Sequence, residues 1–393
     1  MTATLHDALA DNVRSWRPRV EDMAKRIHGL AETAFGEVRS SEITATLLAE
    51  AGFTVERGVG GLPTAFTAST GNGDLVVALC VEYDALPSIG HACGHNWVAG
   101  ASVGAALALM PLVKTLGVTL KVIGTPAEED GGGKVLLLEG GIFDGVSLAL
   151  MAHPVQDGFT DNPLGTSSQA MGKYRATFTG KASHAATAPH KGINAADAAV
   201  LSQIAIGLLR QQIPSDHRIG LYVSEGGHAT NIIPERAVVD FECRAFTLAD
   251  YEALLHRVRA CFEGAALATG TRLFLEPTEP VYEPLLQDPV LASYWTEAMR
   301  RSGRGTTSTA SLAGGSTDMG NVSQRIPSLH PWMSIPGVAA PIHSQGFAAV
   351  SDSAEGYKTM FEAATALAST VAEVAMHSTH RNSFIARAYR RQG

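Results

Sequence analysis

Two side chains able to hold a soft metal stand two positions apart in the stretch His91-Ala92-Cys93-Gly94-His95-Asn96. Thiolate and imidazole together suit a borderline-soft cation such as zinc. The pair precedes Trp97 to Leu116, an Ala/Val/Leu-rich run that reads as a packed helix, so Cys93 and His95 lie near a helix N-terminus. Such an end lowers a thiol pKa, and Cys93 could serve as a thiolate. A Cys-x-His pair by itself is also what a small buried hydrophobe beside a satisfied polar group looks like. The metal reading needs further ligands. Glu128 and Glu129 supply adjacent carboxylates, suited to a division in which one binds metal and the other works as general base on water. His153 supplies another imidazole.

Three apolar runs lead to these residues. Leu75 to Val81 is β-rich and reads as a buried parallel strand, followed by Glu82-Tyr83-Asp84 and a Pro- and Gly-punctuated loop. Val118 to Gly124 is the next strand and runs into Thr125-Pro126-Ala127-Glu128-Glu129; Leu148 to Met151 is a third, ending at His153-Pro154. Ligands of open α/β sheets bind beyond the carboxyl ends of strands, so the three loops are expected to converge. Before them, Thr2 to Leu47 alternates charged and apolar residues as two helices parted near Gly36.

From about Ser168 the pattern changes. Tyr174 to Thr179, Ile219 to Ser224, Ala237 to Phe246 and Arg272 to Glu276 read as strands, with helices over Ile193 to Leu209 and Leu248 to Ala268. The order β-α-β-β-α-β is that of a ferredoxin-like domain. The fold class is therefore α/β, with a catalytic domain over 1–168 and 284–393 and an inserted domain over 169–283. Two loops of the insert are polar: Ala182-Ser183-His184-Ala185 with His190, and Gly226 to Pro234 with Asn231. Arg244 interrupts the alternation of its strand. Together they offer groups for an oxyanion and a substrate carboxylate. Past Pro289 come a helix over Val290 to Arg301, a strand within Ser328 to Ile335, a loop through His343 and a final helix from about Ser353 to Met376. Arg387, Arg390 and Arg391 read as a solvated helix end or tail.

Composition removes other classes. A chain of 393 residues exceeds one ordinary core, and its net charge of −8, without a basic stripe, argues against a nucleic-acid partner. Val98 to Val113 is short of a membrane span and contains Pro111, so no membrane partner is expected. Four scattered cysteines form no disulfide framework, and no signal-peptide core opens the chain; both fit the cytoplasm. Gly131-Gly132-Gly133-Lys134 lacks the spacing of a phosphate loop. Gly100-Ala101-Ser102-Val103-Gly104 matches a serine-hydrolase pattern in letter, but its Ser falls inside the expected helix.

Glu82-Tyr83-Asp84-Ala85-Leu86-Pro87 and His91-Ala92-Cys93-Gly94-His95 resemble the M20 metallopeptidase family, in its amidohydrolase branch (subfamily D). Thr125 to Glu129, Met151 to Pro154, Gly180 to His184 and Asn231 to Pro234 match it in the same order. The resemblance implies two divalent ions per subunit (zinc, manganese or cobalt) held by Cys93, His95, Glu129, His153 and His343, with Glu128 as general base. It makes His184, Asn231 and Arg244 substrate or oxyanion contacts on a lid that also forms a homodimer. Within the branch, Asn96 and Gly315 to Gly320 look most like p-aminobenzoyl-glutamate hydrolase subunits and related dipeptidases; Asn96 and Ser316-Thr317-Asp318-Met319 depart from hippurate-type members. The expected activity is hydrolysis of an N-acyl amino acid, an aminobenzoyl-glutamate-like conjugate or a dipeptide. The alternatives are a catalytically silent binding or regulatory subunit of the same fold and a serine hydrolase using Ser102.

Overall fold

Leu75–Val81 is covered by a parallel strand on each side, Val118–Gly124 and Leu148–Leu150, which is why its sequence shows no polar alternation. It lies within a six-stranded mixed sheet of a computed structural model that describes residues 2–158, 162–305 and 315–392. From one edge the order is Thr54–Arg57, Phe66–Thr70, Val118–Gly124, Leu75–Val81, Leu148–Leu150 and Ser328–Leu329. Register makes the loops converge. Val81 is opposite Gly124 and Leu79 opposite Leu150, so three parallel strands release their chains at one end of the sheet. The N–H of Thr125 donates to the carbonyl of Val81 at 2.8 Å, fixing the level at which the first two loops part.

The helix His95–Leu109 is buried along its whole length. Its small residues are contact residues: a Cβ on Gly100 would lie 2.2 Å from Met360 Sδ, and one on Gly104 would lie 3.1 Å from Ala364 Cβ. Both partners belong to the helix Ala354–Met376. Ser102 is thus a mid-helix packing residue shut away from solvent, and the serine-hydrolase alternative has no structural support.

By contacts the described residues divide into two units. One comprises 2–158, 162–167, 285–305 and 317–392; the other comprises 168–284 and 315–316. The second is a four-stranded antiparallel sheet in the order Arg272–Pro277, Ala170–Thr179, Arg236–Ala245, Arg218–Glu225, with the helices Ala195–Leu209 and Leu248–Thr269. This is the ferredoxin-like arrangement. Its helix starts are capped by Asn194, which accepts from Ala196 N–H, and by Thr247, which accepts from Asp250 N–H.

Three details differ from the sequence reading. Ser328 to Ile335 holds two short strands, Ser328–Leu329 in the large sheet and Trp332–Ser334 in a separate pair with His153–Val155. His153 accordingly begins a strand instead of following one directly. The C-terminal arginines lie at the end of a helix, Ser378–Gln392, in keeping with the sequence reading, and Arg387 donates to Asp288 at 3.0 Å. Arg244 does not break the alternation of its strand. Asp240, Glu242 and Arg244 share its polar face, while Val239, Phe241 and Cys243 are buried in the core.

Candidate metal centre

His95 reaches the site from the first position of the buried helix and Cys93 from the turn before it. Gly94 takes φ of +83° there, and a Cβ would lie 2.7 Å from Pro154 Cγ, so the turn needs glycine twice over. Ring orientation is set by what each imidazole does with its other nitrogen. His95 Nδ1 donates to Asp84 Oδ1 at 2.8 Å, and Asp84 Oδ2 accepts from Glu129 N–H at 2.9 Å. His153 Nδ1 donates to the carbonyl of Pro154 at 2.8 Å, leaving Nε2 to accept from the Cys93 thiol at 3.3 Å. Each ring thereby turns Nε2 inward, as ligating imidazoles do.

The carboxylates arrive on a strained loop. Ala127 has φ of +58°, and its N–H is held by Glu37 Oε1 at 2.8 Å. A non-glycine residue in that region needs such support. His343, also left-handed at φ +63°, is tied by its N–H to the carbonyl of Ala92 at 2.8 Å and brings Nε2 to 3.4 Å from Glu129 Oε1. Candidate ligand atoms fall within 4.8 Å of one another in the sets Cys93, His95, His153; Cys93, Glu129, His343; and His95, Glu128, Glu129. All five side chains expected as ligands, and the expected base, therefore converge. The donor set of one thiol, three imidazoles and a carboxylate fits a borderline-soft divalent ion.

Electrostatics separate the adjacent acids. Burial, then the charges of Glu82 and Glu129, push Glu128 well above the usual carboxylate range. Burial opposes ionisation of Glu129 too, but a hydrogen bond from His343 and the His95 charge hold it at about 2. Burial would lower His95, yet Asp84 and Glu82 raise it well above its ordinary value. Burial and the nearby His95 charge lower His153 to about 3. The thiolate expectation for Cys93 is corrected: burial and the Glu129 charge push its thiol well above the usual range, outweighing any helix-end effect. A cation, not the helix, is what could ionise it.

Some contributors went unrecognised in sequence. Asp84 orients His95; Lys134, the residue after the glycine triplet Gly131-Gly132-Gly133, is fully buried and donates to Glu82 at 2.5 Å and Asp318 at 2.6 Å. The acidic pair at a strand end and a lone lysine after an acidic loop were the available signals. Buried His330 makes edge contact with His153 at 5.9 Å between ring centroids, and nothing local in sequence announced it. Asn96 donates to the carbonyl of Ser351 at 2.9 Å, a bond that an Asp carboxylate at this position could not make.

His184, Asn231 and Arg244 belong to the other unit. The N–H of Ala185 donates to the carbonyl of Asn231 at 2.9 Å, joining the two polar loops. His184 Nδ1 accepts from the N–H groups of Ala186 and Thr187 at 3.2 Å each, so the neutral ring carries its hydrogen on Nε2. Arg244 is engaged in a fork with Glu242, at 2.9 and 3.1 Å, and donates to Ser316 at 3.3 Å. His190 lies on the exposed turn Pro189–Lys191.

Residues 166–269 match the family model described as peptidase dimerisation domain. The Xaa-Arg dipeptidase of Mus musculus is 38% identical over 328 residues, covering 80% of this chain and 75% of the relative. The chain belongs to the M20 metallopeptidase family. Another relative in that family, a p-aminobenzoyl-glutamate hydrolase subunit of Escherichia coli K12, is 36% identical over 281 residues, covering 66% of this chain and 58% of the relative. A dinuclear metal-binding M20 peptidase from Bacillus subtilis shares the fold, with a TM-score of 0.65 at 23% identity over 92% of this chain and 99% of its own. The M20 chain described here is a metal-dependent amidohydrolase, as its branch of the family implies.

Proposed function

We propose that this enzyme hydrolyses the amide between an acyl or aminoacyl group and an amino acid with a free carboxylate, using two divalent ions (zinc, manganese or cobalt). The observation that carries the reading is the meeting of Cys93, His95, Glu129, His153 and His343 with Glu128 beside them. The ions, when bound, would lower the pKa of water and polarise the substrate carbonyl. Glu128 takes the proton of the attacking water and returns it to the departing amine, a task suited to a carboxyl whose surroundings keep it ready to hold a proton. His184 presents Nε2–H to the oxyanion, since Nδ1 is already occupied by backbone donors. Asn231, exposed on its loop, is the better holder of the substrate carboxylate, because Glu242 already engages the Arg244 fork.

The relatives named a dipeptidase and an aminobenzoyl-glutamate hydrolase motivate the substrate class, with dipeptides and N-acyl amino acids as the two arms of a screen. A homodimer is part of the proposal. The strand Arg218–Glu225 ends its sheet with Tyr222 and Val223 exposed, and Val200, Ile204 and Leu208 are exposed on the helix Ala195–Leu209. Unpaired edges and apolar helix faces tend to be covered. Four free cysteines accord with a cytoplasmic setting. The test is hydrolysis of dipeptides and acyl-amino acids by metal-loaded and chelator-stripped protein. Activity confined to the loaded form and to substrates with a free carboxylate is expected. Undiminished activity after complete stripping overturns the reading.

A further inference from the structure

Glu82 leaves the strand Leu75–Val81 at its carboxyl end with its side chain shut away from water. Its two oxygens have different surroundings. Oε1 accepts from Lys134 Nζ at 2.5 Å, and that ammonium is shared with Asp318 Oδ1 at 2.6 Å. Asp318 Oδ2 in turn accepts from the backbone N–H of Lys134 at 2.9 Å. Oε2 has no hydrogen-bond partner among the described residues. It faces His95 Nε2 at 3.4 Å, and this buried nitrogen has none either.

The other side of the imidazole decides what that confrontation means. Nδ1 carries the ring hydrogen toward Asp84, so in the neutral ring Nε2 is a bare lone pair. Two bare lone pairs cannot face each other in a dry interior, so a cation must stand on this side of the ring: a proton on Nε2 or, in its place, a metal ion within bonding distance of both atoms. Ligand atoms about 2.0–2.2 Å from one tetrahedral ion lie roughly 3.4 Å apart, which is the separation found. The acidic trio Glu82, Glu128 and Asp318 also gathers within 4.8 Å, but there Lys134 already answers the charge of Glu82 and Asp318. Only the His95 side of Glu82 calls for an ion.

We propose that Glu82 Oε2 is a further metal ligand, binding the same cation as His95 Nε2, while Lys134, braced by Asp318, holds the other oxygen so that Glu82 binds through one oxygen alone. The inference rests on the metal-dependent reading of the site. It adds a carboxylate to the five ligands expected there and gives the buried lysine a purpose, namely to aim that carboxylate.

The test uses Co²⁺ as probe on chelator-stripped wild-type, Glu82→Gln and Glu82→Asp chains. Gln removes the charge at constant shape. Asp keeps a charge opposite Lys134 and withdraws the oxygen from the ion, so a folded variant remains if the Gln chain does not fold. Melting of the stripped proteins checks folding. Both variants are expected to lose about tenfold or more in affinity for one of two Co²⁺ equivalents. The visible bands of that ion should shift, with one fewer oxygen neighbour by X-ray absorption. An unchanged cobalt spectrum and oxygen count in the folded variants, with or without weaker binding, overturns the assignment and leaves Glu82 as a brace for Lys134. Wild-type protein that takes up no Co²⁺ would overturn the metal reading itself, a result distinct from failure of Glu82 alone.

Discussion

The metal cluster and the polar loops of the ferredoxin-like unit solve opposite problems. His95, Glu82, Asp84 and Lys134 are buried, and a hydrogen bond or ion pair fixes the far side of each. His184 and Asn231 stand exposed, held among the described residues by bonds within and between their own loops. A buried cluster can be oriented in advance, because its second layer of contacts removes the alternatives. Exposed loop groups stay available to a substrate and owe their geometry to the backbone. The contrast teaches that rigidity is concentrated where charge is most costly to misplace.

The largest expected effect lies in the cluster. Glu128→Gln should retain metal and lose turnover by about 10²-fold or more, whereas Glu129→Gln should weaken metal binding first. Elemental analysis beside kcat separates them, and reversed phenotypes would exchange the roles of the two acids. Next comes the loop histidine. His184→Ala is expected to lower kcat by about 10²-fold with metal content intact, the scale of one oxyanion donor. If His184 acts across a dimer, exchanging subunits with the Glu128→Gln chain restores one complete site and part of the activity. Confirmed exchange without recovery would confine His184 to its own subunit.

A smaller effect is expected at the substrate carboxylate. Asn231→Ala should raise KM by roughly tenfold for free acids and little for their amidated analogues, the loss of about one net hydrogen bond to a charged group. Equal changes in both would make Asn231 a loop brace. Smallest is a stability effect behind the cluster. Burial and the Asp84 charge raise Glu37 to about 7 from an ordinary 4.5. The folded chain therefore binds this proton more tightly than the unfolded one, and stability falls as pH rises between those values. Glu37→Gln, which can still accept from Ala127 N–H, should raise Tm by a few degrees at pH 8, with the gain vanishing near pH 4.5. A gain independent of pH would show that Glu37 carries no shifted proton.

Much of this was legible in the chain itself because the signals are local. An apolar run ending in Glu82-Tyr83-Asp84, a Cys-x-His before a small-residue helix, and adjacent glutamates after a strand each lie within a dozen residues. The β-α-β-β-α-β order of the second unit was read from periodicity alone, which fixes the faces of strands and helices. Arg244 misled because one charge at the end of a strand looks like an interruption until its neighbours Asp240 and Glu242 are seen on the same face.

What folding alone decided is the environment of each group. The sequence supplied a thiol, three imidazoles and the acids, but their protonation follows from burial and from partners far away along the chain. His343 meets Glu129, Asp318 meets Lys134, and Asn96 meets Ser351 only because parallel strands open at one end of the sheet and the returning chain closes over them. Cys93 shows the limit of local reasoning most directly. Its place before a helix suggested a thiolate, but the loss of water around it and the Glu129 charge keep the proton on sulfur until a cation takes its place. Residue types are local and can be read in order; desolvation and charge depend on everything that packs around them.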